Sequence, residues 1–172
     1  MAGSLIKIAE TTVSSAVASV TLTGIDSTFD VYMIKFFNVT GSTDQEQLNI
    51  RVTKSGSADT TSNYDRAYKQ FRTNSTFNNV SGTNSDHWDS GSNIGTGTSE
   101  TTNGILYAFN FNNASEFSFL TIETTELNNA EIHHGSQGGL VHTVASASDG
   151  LNFFMSSGNI AQGTFSLYGL KK

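Results

Sequence analysis

The sequence predicts an all-β fold, a single antiparallel β-sandwich of about nine or ten strands that spans residues 1–172. Three observations carry that expectation. Apolar and polar residues alternate with a period of two in short runs, the pattern of a strand with one face buried. Gly, Asn, Ser and Asp bound those runs, so turns recur along most of the chain. No stretch long enough for a helix of about ten residues keeps a 3.6-residue period. No internal repeat of roughly 20–50 residues is present, which argues against a propeller or a solenoid.

Ser4 to Ile8 reads as the first strand and Val17 to Leu22 as the second, with Val20 and Leu22 on one face. Thr23-Gly24-Ile25-Asp26-Ser27 is a turn. Phe29 to Val39 is the longest apolar run, with Val31, Met33, Phe37 and Val39 on one face and Tyr32, Ile34 and Phe36 on the other. A strand that is apolar on both faces belongs in the middle of a sheet. Gln47 to Thr53 points Leu48, Ile50 and Val52 inward. A polar, loop-rich insertion follows at about residues 55–100, broken by Tyr64 to Phe71. Tyr64, Tyr68 and Phe71 would line one face of a short helix. A strand brings only Tyr64 and Tyr68 together, and the aromatic and Thr-rich surroundings favour the strand. Strands resume at Ile105 to Phe111, Phe117 to Ile122, Leu140 to Ser146, Leu151 to Ser156 and Thr164 to Leu170.

Composition excludes several classes. There is no Cys, so disulfides, thiolate metal sites and Cys nucleophiles are ruled out. Ser, Thr and Asn supply 61 residues, but the apolar runs between them can fill a core, which a disordered chain could not do. A formal charge of -6 with nine dispersed Lys and Arg argues against nucleic acid as a partner. The pair Lys171-Lys172 reads as a solvated tail. No apolar stretch approaches the roughly 20 residues that span a bilayer, so no membrane partner is expected. Met1 to Lys7 lacks the pattern of a signal peptide, so the chain is expected to be made in a cytoplasm and to keep its first residues. The sequons at Asn38, Asn74, Asn79 and Asn113 are then compositional. Soluble sheets commonly guard their edges with Pro, Lys or bulges. With no Pro and few Lys, the edges here are expected to be covered by copies of the chain or by a scaffold.

Few residues suggest chemistry. Asp86-His87-Trp88-Asp89 holds the single Trp. A ring flanked by carboxylates and an imidazole suits a sugar-stacking platform, while a loop anchor or a subunit contact would use the same residues. With Tyr64 and Tyr68, these four make up the candidate binding or contact loop. Glu131, His133, His134 and His142 invite a metal reading, but adjacent strand residues face opposite ways. The plainer account is a set of polar residues in a Gly-rich turn before Gly135, with a metal between symmetry copies as the alternative. Glycoside hydrolysis needs two acids about 5–10 Å apart, and nothing in the pattern pairs Glu116, Glu123, Glu126 and Glu131. No nucleophile elbow, zinc helix motif or phosphate loop is present. No catalytic residue, metal or cofactor is therefore assigned.

One segment resembles a known group. Phe154-Met155-Ser156-Ser157-Gly158-Asn159-Ile160-Ala161-Gln162-Gly163-Thr164-Phe165-Ser166-Leu167-Tyr168-Gly169-Leu170-Lys171 is similar to the terminus of tailed-phage virion structural proteins. Tyr64 to Tyr68 and Gly104 to Asn110 fit the same pattern, and the likeness covers about residues 28–171. Similar sequences recur in phages of aquatic bacteria, labelled as head decoration, tail-fibre or unassigned structural proteins. The resemblance implies a jelly-roll-like sandwich that assembles as oligomers, often trimers, and brings no catalytic residues. It implies a capsid decoration or cement protein on the virion, partnered by the major capsid protein or other virion proteins. The alternative it leaves is a tail-associated or receptor-binding module for host surface glycans. A first strand beginning by Ser4 leaves no room for a fibre attachment region, which favours decoration.

Overall fold

The computed structural model describes residues 4–74 and 77–171, so the expectations for Met1 to Gly3 and for Lys172 lie outside the described residues. Among these residues the chain forms thirteen strands and no helix. They are β1 (Leu5–Val13), β2 (Ser19–Thr23), β3 (Val31–Gly41), β4 (Leu48–Lys54), β5 (Ser57–Ala58), β6 (Tyr64–Arg72), β7 (Asn78–Ser85), β8 (Trp88–Asp89), β9 (Thr102–Phe109), β10 (Ser118–Leu127), β11 (His133–His142), β12 (Gly150–Met155) and β13 (Ile160–Leu170). All pairings between them are antiparallel.

One sheet runs β1-β13-β3-β9-β10-β11-β6-β7 and the other β2-β12-β4-β5, with β8 also on β4. The order interleaves the two ends of the chain. β1, β13, β3 and β9 face β2, β12 and β4, and each of the connections β1–β2, β2–β3, β3–β4 and β12–β13 crosses from one sheet to the other. That is the double Greek-key winding of a jelly roll. The two-residue strands β5 and β8 share the edge of β4 that faces away from β12, at Thr53–Lys54 and at Asn49–Ile50. Two hairpins then lengthen the larger sheet past β9. β10–β11 pairs onto β9, and β6–β7 pairs onto β11.

The core lies between the sheets. Phe36, Phe153 and Phe165 meet with ring centroids 5.0–6.3 Å apart, and Ile34, Leu106, Leu48, Ile50 and Val52 are fully buried around them. As the alternation predicts, Leu48, Ile50 and Val52 point inward and β3 lies in mid-sheet.

Four expectations change. Val39 joins the inner face rather than that of Val31 and Met33, because a bulge after Phe36, with Asn38 at φ 53, shifts the register. Residues 55–100 are far more regular than a loop-rich insertion, holding β5, β6, β7 and β8. His133 and His134 lie on β11 and not in a turn; the glycines near them serve the strand. A Cβ at Gly138 would sit 2.4 Å from Tyr68 Cα, so the close pairing of β11 with β6 needs a bare backbone there. Leu140 to Ser146 ends as a strand at His142.

The extension is tied back by Trp88. Its backbone pairs with Ile50 of β4, and its ring is fully buried. The indole N–H donates to Asp65 O at 3.0 Å and Val141 O at 3.3 Å, on β6 and β11. Tyr64 packs edge-on against the ring at 4.9 Å and donates its hydroxyl to Asp59 O at 2.5 Å. Truncating so large a buried ring costs about 3–5 kcal/mol. Trp88→Ala is expected to lose roughly that much stability in chemical denaturation, whereas Trp88→Phe keeps a ring in place, loses the N–H bonds and part of the packing, and falls by less.

Candidate functional site

Two surfaces of the long sheet differ in chemistry. The outer face carries an apolar band in register. Val31, Phe109, Phe119 and Val141 lie side by side on β3, β9, β10 and β11. The next row holds Tyr168, Met33, Tyr107, Thr121 and Gly139. Phe119 is 44% exposed, Ile105 41%, Phe37 40% and Tyr107 38%. An open groove of about 760 Å³ runs between Phe119 and Ala67 over Gly139, where a side chain would meet open space. The third row turns polar, with Lys35 and Glu123 flanking Ile105. Lys35 Nζ sits over the rings of Phe37 and Tyr168 at 5.5 and 5.6 Å.

The inner face of the extension has no second sheet opposite it. The segment from β8 onward covers part of it, and a polar pocket of about 450 Å³ remains between that segment and β6. Every second residue of β6 from Tyr64 to Arg72 points inward: Tyr64, Arg66, Tyr68, Gln70 and Arg72. Asp89 receives the Tyr68 hydroxyl on Oδ1 and pairs with Arg66 Nε through Oδ2 at 3.0 Å. Burial, reinforced by the Asp89 charge, pushes the Tyr68 phenol well above its usual range. Gln70 Oε1 accepts from Arg72 Nε at 2.9 Å. Asn78, with its amide oxygen turned to the guanidinium, accepts from Nη1 at 3.1 Å and Nη2 at 2.7 Å.

Glu126 lies behind the pocket wall. Ser92 N–H donates to Oε1 at 2.5 Å and Thr102 Oγ1 to Oε2 at 3.1 Å. Gly91 arches over it at φ 146, and a Cβ there would fall 2.5 Å from Oε1. Burial pushes the carboxyl up to about 7 despite those donors.

The residues singled out by sequence do not form one loop site. Trp88 and Tyr64 are buried side by side, so the ring is the loop anchor and not a solvent-facing sugar platform. Tyr68 and Asp89 reach the inner pocket. Asp86 and His87 turn away, to the outside of the smaller sheet. There Asp86 pairs with Arg51 Nη2 at 2.5 Å and His87 Nδ1 at 2.7 Å, while Arg51 and His87 pack on Phe154. The split falls at the start of β8: Asp86 and His87 lie in the bend before it, while Trp88 and Asp89, the two residues of β8, are both buried.

Alternation along β11 separates the histidines, because successive strand residues take opposite faces. His133 is exposed and meets Thr125 Oγ1 at 2.7 Å, whereas His134 is buried on the inner face. His142, fully buried at the far end of β11, lies 3.5 Å from Asp59 Oδ2, and Asp59 also pairs with Lys54 at 2.6 Å. Glu131 is in the turn before β11. Among the described residues no group of three or more His, Asp or Glu is placed to hold a metal ion. Glu123 and Glu126 face opposite sides of β10, and Glu116 lies in the turn before it, where Asn110 Nδ2 donates to it at 2.8 Å.

Sequence reading missed Arg66, Gln70 and Arg72, and weighed His134 only as a metal ligand. The signal was present in the even-numbered positions of β6, whose inward set is polar where a core strand would be aliphatic. No family model matches the chain, and no similar curated protein or solved structure was found.

Glu126 sets a pH dependence. Its folded pKa lies above the usual carboxyl value near 4.5, so its contribution to stability is complete below about pH 4.5 and is lost as pH rises through about 7. Between pH 5 and pH 8 the melting temperature of the native chain should fall by roughly 5 °C more than that of Glu126→Gln. Equal slopes in calorimetry would mean that the carboxyl is not the titrating group.

Proposed function

We propose that the chain is a non-catalytic virion protein of a tailed phage, a capsid decoration protein that lies on the head shell and stabilises it. The observation that carries the reading is the apolar band on the outer face of the long sheet. A solvated antiparallel sheet alternates polar residues outward, whereas this face presents Phe37, Ile105, Tyr107 and Phe119 in adjoining strands. Large exposed apolar patches mark association sites. The polar row beside the band, with Lys35 and Glu123, supplies a charged rim. The resemblance of residues 154–171 supplies the kind of assembly, and the jelly-roll winding agrees with what that group implies. The band is assigned to the shell protein, with trimerisation as a further use of the fold's edges.

A second reading, a tail-associated module for host surface glycans, is favoured by the inner pocket, which is polar and open where a jelly-roll core would be sealed.

Cryo-electron microscopy of whole virions tests the first reading: regular copies over the icosahedral shell are expected. A few copies at the tail would transfer the role to the second. On purified shells, Tyr107→Lys combined with Phe119→Lys should weaken attachment at least tenfold while leaving the β-sheet circular dichroism unchanged. Undiminished attachment would exclude the outer band as the docking face.

A further inference from the structure

We propose that the pocket between β6 and the segment after β8 binds an anionic sugar residue, its acidic group held by Arg72 and its hydroxyls by the surrounding amides. The inference rests on the second reading only for where such a sugar would come from; the site itself is argued from its own chemistry. Its volume, about 450 Å³, takes about one or two pyranose rings.

The lining is rich in carboxamides, among them Gln47, Gln70, Asn93 and Asn129. Each offers a donor and an acceptor, the pairing that sugar hydroxyls require. An apolar ligand would leave these groups unsatisfied at a cost.

The charges choose the sign. Arg66 is neutralised by Asp89 at 3.0 Å. Arg72 is given only amide oxygens, those of Gln70 and Asn78, and forms none of the ion pairs made by the described residues. The pocket therefore keeps one uncompensated guanidinium on a chain whose formal charge is -6. Guanidinium groups bind carboxylate and sulfate oxygens in a fork that amide oxygens fill only partly.

A second observation points to a ligand. His134 lines the same pocket, is only 3% exposed, and its Nδ1 has no hydrogen-bond partner among the described residues. Nε2 has only a long contact, 3.4 Å, with Asn128 Nδ2. Burial first, then the Arg72 charge, holds the ring below the usual imidazole pKa. It thus stays neutral at pH 7 and can both donate and accept. Buried polar atoms are almost always paired, and a sugar hydroxyl at this wall would engage a ring that the protein leaves underused.

The test is a titration of the isotope-labelled protein, followed by NMR, with galacturonate, with galactose 6-sulfate and with neutral galactose. Expected are shifts confined to the Arg72 side chain and residues 70, 91–93, 128–129 and 134, with binding of the acidic sugars at least tenfold tighter than of galactose and weakened by salt. Arg72→Gln should abolish the preference for acid, and Asn129→Asp, on an exposed turn, should weaken acidic sugars without touching a strand. Response to galacturonate alone or to the sulfate alone would fix which acid the fork accepts. Equal response to galactose would overturn the charged assignment. No localised shift with any of the three at 50 mM, on the order of the weakest specific sugar binding, would overturn the site. Neither result bears on where the chain sits in a virion, which imaging decides separately.

Discussion

Trp88 joins the two sheets at the place where the smaller one stops. Its main chain completes the edge of β4, and its ring reaches across the core to the carbonyls of Asp65 and Val141 on the extension. A hairpin added to a sheet edge gains its own ladder but has an uncovered face, which isolated hairpins rarely survive. Here the covering layer is a single segment of chain, and the indole is its deepest anchor. The core on one side and the pocket on the other both depend on that placement. Asp89, next in sequence, faces Tyr68 and Arg66 only because Trp88 fixes the register of β8.

This arrangement divides one sheet among three tasks. The half formed by β1, β13, β3 and β9 lies under the partner sheet and is sealed by aliphatic and Phe side chains. The other half has polar residues on its inner face, because partial cover leaves room for guanidinium, phenol and imidazole groups that a close-packed core would exclude. On the outer face of the sheet an apolar band crosses β13, β3, β9 and β10, where solvent would favour polar residues. A carboxyl such as Glu126, buried at the boundary between the sealed and open halves, is pushed up to about 7 by that burial and so is only about half ionised at neutrality.

Much of this was legible in the residues. Period-two alternation located the jelly-roll strands, and the doubly apolar run around Ile34 marked β3 as central. Choosing a strand for residues 64–71 put Tyr64 and Tyr68 on one face without Phe71, as found, although it did not show that this face turns inward. What escaped was set by distant partners. β7 is Asn-, Ser- and Gly-rich and becomes a strand only because β6 offers it a ladder. The Gly-rich stretch around Gly135 resembled a turn, yet it is strand, and at Gly138 the close approach of β6 requires a bare backbone that no local pattern reveals. The Asp86-His87-Trp88-Asp89 motif, singled out as one loop, divides between the outside of the smaller sheet, the core and the inner pocket. The pocket was missed because its residues come from β6, β8 and β11 together.

The most direct test of this account is residue-resolved hydrogen exchange on the native chain. If the Trp88 bridge makes the sandwich and its extension one cooperative unit, amides of β6, β10 and β11 should exchange as slowly as those of β3 and β13, through a shared global opening. Exchange of β6 and β11 a hundredfold or more faster than β3, corresponding to about 2.7 kcal/mol of separate local opening, would contradict it.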